Sequence, residues 1–480
     1  MSFRETAIAG IGWSFIQQFG AKLVSLVIGI ILARLLRPEE FGLVAMIYVF
    51  IAVGSSLMDS GLTSSLIRSV DVHQSDYSTV FLFNLAGSIV VYAGLFFLAP
   101  LIAIFYKHEV LVDIIRITGL SFIINASYGV HATRFIKMMN FRIQAFMQIP
   151  AIVGSGFLGI VLAKAGFGVW SLVWMNILNS ILLAFMHWTF SAWRPEFIFN
   201  SSCLKRHFSF GYKMTLSGLL ETLYQNIYVI LIGRFYSAMQ LGFYSRADSM
   251  SQFPISNISA AINKVTYPML AAISSNDAQL KSVYQRIMKQ VVFWNTPILI
   301  YLAIIALPLF RILFGEQWLQ SVPYFQFLCL GGIMYPLHSY NLNILKVKGR
   351  SDLFFKLEVI KKATCIIGII CVIPFGIYGL LYFQLVYSFL GYYINSVYSG
   401  KMLNYPIMEQ ISDLSPPILL SAITGLICFG LDKSLVHLCN ATDLSRIVIA
   451  TAIYSLVYLA TAFWIRLTAL TDFKQLIFKK

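Results

Sequence analysis

The sequence predicts an all-α polytopic membrane protein of about fourteen transmembrane helices, and three observations carry that reading. Hydrophobic residues fill 58% of the 480 positions and charged residues only 11%, where a soluble protein carries roughly a quarter charged residues. Mean hydropathy is +0.77, too apolar for domains that must face water on all sides. Apolar windows long enough to cross a bilayer, about 20 residues each, recur along the whole chain. In lipid every backbone N–H and C=O must be satisfied within the segment, so such windows are helices.

The windows fall at 12–36, 41–66, 79–105, 111–133, 145–163, 168–190, 212–234, 248–272, 290–314, 322–346, 363–376, 377–400, 412–431 and 446–468. Their separators are polar or turn-forming. Arg37-Pro38-Glu39-Glu40 divides the first two, Lys107-His108-Glu109 the third and fourth, and a basic stretch from Arg134 to Arg142 the fourth and fifth. Only Pro374-Phe375-Gly376 divides the eleventh from the twelfth. The longest polar stretches, Ser191–Lys213 and Ser274–Gln290, read as loops of about twenty residues. They leave no room for a water-soluble catalytic domain.

Orientation follows from lysine and arginine in alternate loops. With the N-terminus inside, about 23 of the 35 basic residues collect on the cytoplasmic side and about 9 on the other. Lys22, Arg116 and Lys264 fall within spans. Both termini are therefore expected in the cytoplasm, with an even number of spans. The net charge of +15 is topology and calls for no nucleic acid. Six cysteines, mostly inside apolar runs and without Cys-x-x-Cys spacing, indicate neither a disulfide framework nor a metal site. Met1–Gly12 holds one arginine and one glutamate ahead of a full-length apolar run, which does not read as a cleavable signal.

The chain repeats internally. At an offset of 200, Ala33-Arg34 meets Gly233-Arg234 and Phe41-Gly42-Leu43 meets Leu241-Gly242-Phe243. At 208, Pro100-Leu101 meets Pro308-Leu309, and Phe167-Gly168-Val169-Trp170-Ser171-Leu172 meets Phe375-Gly376-Ile377-Tyr378-Gly379-Leu380. The order and near-constant offset join spans 1–6 to spans 7–12. The expected division is an N-lobe over 1–200, a C-lobe over 201–405, and two appended helices with a tail over 406–480. Six spans per unit is an even number, so both lobes cross in the same direction about a pseudo-two-fold along the membrane normal, with a site between them.

Polar groups inside spans are costly and face a cavity or a partner. In span 1, Gln18, Lys22, Ser25 and Gly29 share one helical face, and the corresponding stripe of span 7 holds Gly218, Thr222 and Gln225 beside Glu221. Span 2 holds Asp59, span 8 Lys264, and span 10 His338 and Asn341. Asp113 and Arg116, three residues apart near a span end, read as a local ion pair. His338 reads as a hydrogen-bonding group of the bundle. Arg34 and Arg234 sit at outer span ends, where snorkelling explains them as well as ligand contact does. Lys22 and Lys264 lie deeper, with no acid one turn away. Either they pair with Asp59 or Glu221 across the bundle, or they line a wet cavity. The substrate-site candidates are Lys22, Gln18, Arg34, Asp59, Glu221, Gln225, Arg234, Lys264 and Asn341. No Walker A sequence, paired-carboxylate site or Ser/His/Asp arrangement is present, so no enzyme and no cofactor are predicted.

The run Leu32-Ala-Arg-Leu-Leu-Arg-Pro-Glu-Glu-Phe-Gly-Leu-Val-Ala-Met46, with Asp59-Ser-Gly-Leu62, the Arg134–Arg142 loop and Gly166-Phe-Gly-Val-Trp-Ser-Leu172, resembles the Wzx-type polysaccharide-exporter flippases. These belong to the multidrug/oligosaccharidyl-lipid/polysaccharide exporter superfamily, and the colanic-acid-exporter-like subgroup is the nearest. The resemblance implies fourteen helices in two six-helix lobes plus two. It implies a bacterial cytoplasmic-membrane protein that flips an undecaprenyl-diphosphate-linked oligosaccharide for O-antigen, capsule or exopolysaccharide assembly. It further implies a cation-lined cavity suiting Lys22, with Lys264, Arg34 and Arg234 beside it, alongside a polysaccharide polymerase machinery. The lipid II flippases of that superfamily carry an arginine-rich pattern near the N-terminus, whereas this chain has only Arg4 there, which disfavours a peptidoglycan role. The alternatives are a multidrug antiporter of the same superfamily, exchanging H+ or Na+ at acids such as Asp59 and Glu221, and a scaffold or polymerase subunit.

Overall fold

A computed structural model describes residues 3–59, 61–69, 71–439 and 441–472. Among these there is no strand; the chain is a succession of eighteen α-helices with two short 3-10 turns. The protein is an all-α polytopic membrane protein. Among the described residues, ten helical segments are long and apolar enough to cross a membrane, one of them the 53-residue stretch Ser351–Leu403 that contains two helices. Each of the fourteen apolar windows falls on one helix or on a helix with a single break, consistent with fourteen spans.

Chain contacts divide the protein into two compact units, Met1–Gly242 and Phe243–Lys480. The N-terminal unit contains α1 (Phe3–Leu35), α2 (Pro38–Asp59), α3 (Leu62–Arg68), α4 (Gln74–Tyr106), α5 (Leu111–Lys137), α6 (Phe141–Lys164), α7 (Val169–Phe190), α8 (Ser201–Gln225), α9 (Ile227–Phe235) and the start of α10 (Ala238–Ala272). Here α1 packs on α6, α6 on α7, and α4 on α5. The breaks have local causes. Gly61, at φ 62°, separates α2 from α3, and Asn226 ends α8 by donating its side-chain amide to the Thr222 carbonyl at 2.8 Å.

Two pairs of glycines bear out the repeat. Gly168 precedes α7 at φ 56° and Gly376 opens α16 at φ 76°, the left-handed region that favours glycine. Gly42 and Gly242 meet each other's helices: a Cβ on Gly42 would strike the Ala238 carbonyl, and one on Gly242 the Pro38 carbonyl. Gly42 and Gly242 are 200 positions apart, as are Pro38 and Ala238, and the reciprocity of the two contacts is that of a local two-fold.

The cluster that seats α8 is built from buried polar groups. Asp76, in the first turn of α4, accepts from the His73 backbone N–H at 3.0 Å and from His207 Nε2 at 3.2 Å, and pairs with Arg206. The other His207 nitrogen meets Ser65 Oγ at 2.8 Å. Lys137 closes the end of α3, donating to the carbonyls of Leu66 and Ser69 at 3.2 and 2.7 Å.

The C-terminal unit contains most of α10, then α11 (Asp277–Ile304), α12 (Ala306–Phe314), α13 (Ser321–Gly332), α14 (Tyr335–Val347), α15 (Ser351–Val372), α16 (Gly376–Leu403), α17 (Ile407–Cys439) and α18 (Asp443–Trp464). Its core joins Phe293, Leu420, Cys428, Tyr454 and Tyr458. Ion pairs fasten both ends of α17, to α11 at one and to α18 at the other. Lys281 pairs with Glu409 at 3.1 Å and Lys289 with Asp413 at 2.8 Å. At the opposite end of α17, Arg446 grips Asp432 through two nitrogens at 2.8 and 2.7 Å, and Arg311 links Asp443 to Glu316.

Three expectations are corrected. The polar stretches at 191–213 and 274–290 are mostly helix, since α8 starts at Ser201 and α11 at Asp277: helices continue past their apolar length into the interfacial zone. For the same reason the eleventh span begins at Ser351, not 363, and Lys361 pairs with Glu358 within it. Arg116 does not join Asp113; its guanidinium lies 4.2 Å from the centre of the Phe96 ring.

Candidate transport site

The two sides of α1 do different work. Gln17 donates to Gln148 Oε1 of α6 at 3.0 Å, Ala21 is buried, and Ile28 fills the space above Gly156 of α6. This is the packed side. Gln18, Lys22 and Ser25 stand on the neighbouring face and are all exposed, so the stripe read from spacing is a real surface of the N-terminal unit. Its far end enters a cavity of about 250 Å³ among α1, α2, α6 and α7, where Ser25 and Gly29 meet Tyr48, Ser155, Asn176 and Asn179.

Asn176 spends its amide on the Leu172 carbonyl at 2.8 Å, whereas Asn179 Oδ1 is buried with no partner. A buried amide oxygen left unbonded costs about 1–3 kcal/mol, and this one lies sealed in the cavity wall. Tyr48, Asn176 and Asn179 were missed at the level of sequence. The i, i+3 spacing of the two asparagines in span 6 was the available signal.

On α8, Gln225 donates to Glu221 Oε1 at 3.0 Å, and both side chains are exposed. Arg34 is exposed in the last turn of α1. Arg234 is bound up at the end of α4: it donates to the Phe105 carbonyl at 2.6 Å and lies 5.0 Å from that ring's centre, which is the geometry of a cation completing a helix C-terminus. The side chains of Asp59 and Lys264 lie outside the described residues.

Asn341 sits in the C-terminal unit and is completely buried. Its oxygen accepts from Tyr284 Oη at 2.7 Å and from Ser399 Oγ. Its nitrogen donates to the Leu337 carbonyl at 3.0 Å and to Ser396 Oγ at 3.3 Å. It therefore ties α11, α14 and α16 together. His338 is close by, 3.4 Å from Asn395 Nδ2. Among the described residues no group of three His, Cys, Asp or Glu side chains could hold a metal ion.

Residues 31–323 match a family described as "Polysaccharide biosynthesis protein". The teichuronic acid biosynthesis protein TuaB of Bacillus subtilis is 26% identical, over 95% of this chain and 95% of its own. The succinoglycan biosynthesis transport protein ExoT of Rhizobium meliloti is 25% identical, over 95% of this chain and 92% of its own. Among solved structures, the lipid II flippase MurJ in an inward closed conformation superposes with a TM-score of 0.74 at 16% identity, covering 94% of this chain and 98% of that one. That likeness shows a shared fold.

Proposed function

The chain belongs to the polysaccharide biosynthesis protein family, and from that premise we propose that it flips an undecaprenyl-diphosphate-linked oligosaccharide across the bacterial cytoplasmic membrane. It is a transporter without catalytic chemistry. The observation that carries the reading is the exposed face of α1, where Lys22 stands with Gln18 and Ser25 well inside a membrane-crossing helix. A lipid diphosphate brings about two negative charges, and a cation in a water-containing cavity replaces part of their lost hydration. Hydrogen-bonding groups such as Gln18, Gln225 and the amides near Asn179 suit hydroxyl-rich sugars. Relatives of near-full-length similarity named for teichuronic acid and succinoglycan biosynthesis support a polysaccharide substrate.

The proposal includes fourteen spans with both termini cytoplasmic, from the asymmetry of basic residues. It includes alternating access by the repeat over 1–200 rocking against that over 201–405, driven by a coupling ion, H+ or Na+, and delivery of the flipped unit to a polysaccharide polymerase. The antiporter alternative asks for acids at the site; on α1 the exposed charge is a cation.

Lys22 tests the reading. Lys22→Gln removes a charge-assisted contact of about 1.5–3 kcal/mol, so surface polysaccharide falls tenfold or more while protein abundance and membrane insertion stay normal. Lys22→Arg keeps part of the activity, because a mobile diphosphate needs charge more than one fixed geometry. Combining Lys22→Gln with Glu221→Gln leaves the protein inactive. Wild-type export by that charge-free double variant would mean that Lys22 only neutralises an acid, and the ligand role would fall.

A further inference from the structure

A second feature of the N-terminal unit lies away from the α1 stripe, at the ends where α6 begins and α7 finishes. A groove of about 710 Å³ opens there, walled by Phe146, Ile149 and Pro150 of α6, Trp13 of α1 and Phe190 of α7. The Phe146 and Phe190 rings meet edge to face at 6.0 Å and both remain exposed, at 67% and 48%. At the mouth stands Arg142, in the first turn of α6. Its guanidinium is exposed and lies 5.5 Å from the centre of the Trp13 ring.

This arrangement is amphipathic along one axis. From Arg142 to Pro150 the helix descends about 12 Å at 1.5 Å per residue, passing from a cation to unbroken apolar wall. Tryptophan stacked under arginine is a combination suited to the headgroup level of a bilayer. The start of α6 adds the partial positive charge of a helix N-terminus, already stabilised where Asn140 accepts the Ile143 N–H at 3.3 Å. The volume lies in the range of sites that enclose small ligands, roughly 300–1,000 Å³. Among the described residues no carboxylate pairs with Arg142.

We propose that this groove is a binding site for one anionic phospholipid of the surrounding leaflet, its phosphate on Arg142 and an acyl chain along Phe146, Ile149 and Phe190. A phosphodiester carries a single charge and matches the single guanidinium. The phospholipid would hold the α6 start against α1 and α7 without being transported, and its binding is independent of Lys22.

The test uses the full-length protein in nanodiscs of phosphatidylcholine with a minor fraction of dibrominated phosphatidylglycerol, and reads quenching of tryptophan fluorescence. Dibrominated phosphatidylcholine at the same fraction is the reference. Phosphatidylglycerol quenches more strongly and saturates at a lower mole fraction, and Trp13→Phe removes the extra quenched component. One basic side chain near an anionic headgroup contributes about 1 kcal/mol, so Arg142→Gln raises the half-saturating fraction about fivefold. Arg142→Lys stays near wild type, and Lys22→Gln leaves the curve unchanged. Equal quenching by the two lipids, or an Arg142→Gln curve that overlays wild type, overturns the site. Displacement of the brominated lipid by stoichiometric undecaprenyl diphosphate overturns the phospholipid as its occupant.

Discussion

Lys22 on α1 and Asn341 on α14 are both polar residues in apolar helices, yet the structure uses them in opposite ways. Lys22 stands on an exposed face with Gln18 and Ser25, while the neighbouring face of the same helix carries the packing against α6. Asn341 is sealed among Tyr284, Ser396, Ser399 and the Leu337 carbonyl. A side chain whose hydrogen bonds are all spent inside the bundle holds helices together. One on an exposed face within a membrane-crossing helix can be reached by something that enters. The lesson is that polarity within a span marks a cost that must be met; which partner meets it depends on the helix face.

The contrast can be broken on the committed side first, where the largest effect is expected at the Arg446–Asp432 pair. Arg446 and Asp432 are 6% and 9% exposed and joined by two hydrogen bonds. Arg446→Leu strands a buried carboxylate and costs about 3–5 kcal/mol, read as a marked drop in melting temperature in detergent and in protein abundance. Pairing it with Asp432→Leu recovers much of that loss. A single variant as stable as wild type would show that the pair does not hold α17 to α18.

Asn341→Ala comes next. It leaves the Tyr284 hydroxyl without its acceptor, at about 1–3 kcal/mol, while Ser399 Oγ falls back on the Ser396 carbonyl. Melting temperature and export should fall together. Lys22→Gln, by contrast, should lose export with an unchanged melting temperature. Should Asn341→Ala keep full stability and lose export alone, the two residues belong to one class and the contrast is void.

Much of the fold was legible because the bilayer imposes a length and the repeat imposes a register. Gly42 and Gly242 show this best: a match at an offset of 200 in the sequence became a mutual backbone contact in the structure. Helix starts were less legible. Hydropathy reports the lipid-facing length of a helix, so the polar beginnings of α8, α11 and α15 read as loop. Arg116 was assigned to Asp113 by spacing, but spacing is blind to a ring on another helix, here Phe96 of α4. At the site, periodicity found the face holding Gln18, Lys22 and Ser25. It could not separate that face from the buried setting of Asn341, because burial depends on what packs opposite. Tyr48 and Asn179 joined the cavity only through the three-dimensional approach of α2 and α7 to α1.

The smallest effect sharpens the contrast by asking whether a committed polar group can be loosened without mutation. His207, before the apolar part of α8, is completely buried and bridges Ser65 and Asp76. Burial lowers its pKa below the usual histidine value, against the opposing pull of Asp76, with Arg206 and Lys137 also disfavouring a second proton. The folded protein thus keeps this ring neutral where the unfolded chain, with a histidine pKa near 6.5, takes up a proton. Stability is full above that pH and declines as pH falls through it toward the lower folded value. A modest fall in melting temperature between about pH 7 and pH 5.5 is therefore expected, flattened in His207→Gln, which retains hydrogen-bonding capacity but does not titrate. An equal slope in wild type and variant would assign the acid sensitivity to other groups and leave the Asp76–His207 contact as packing alone.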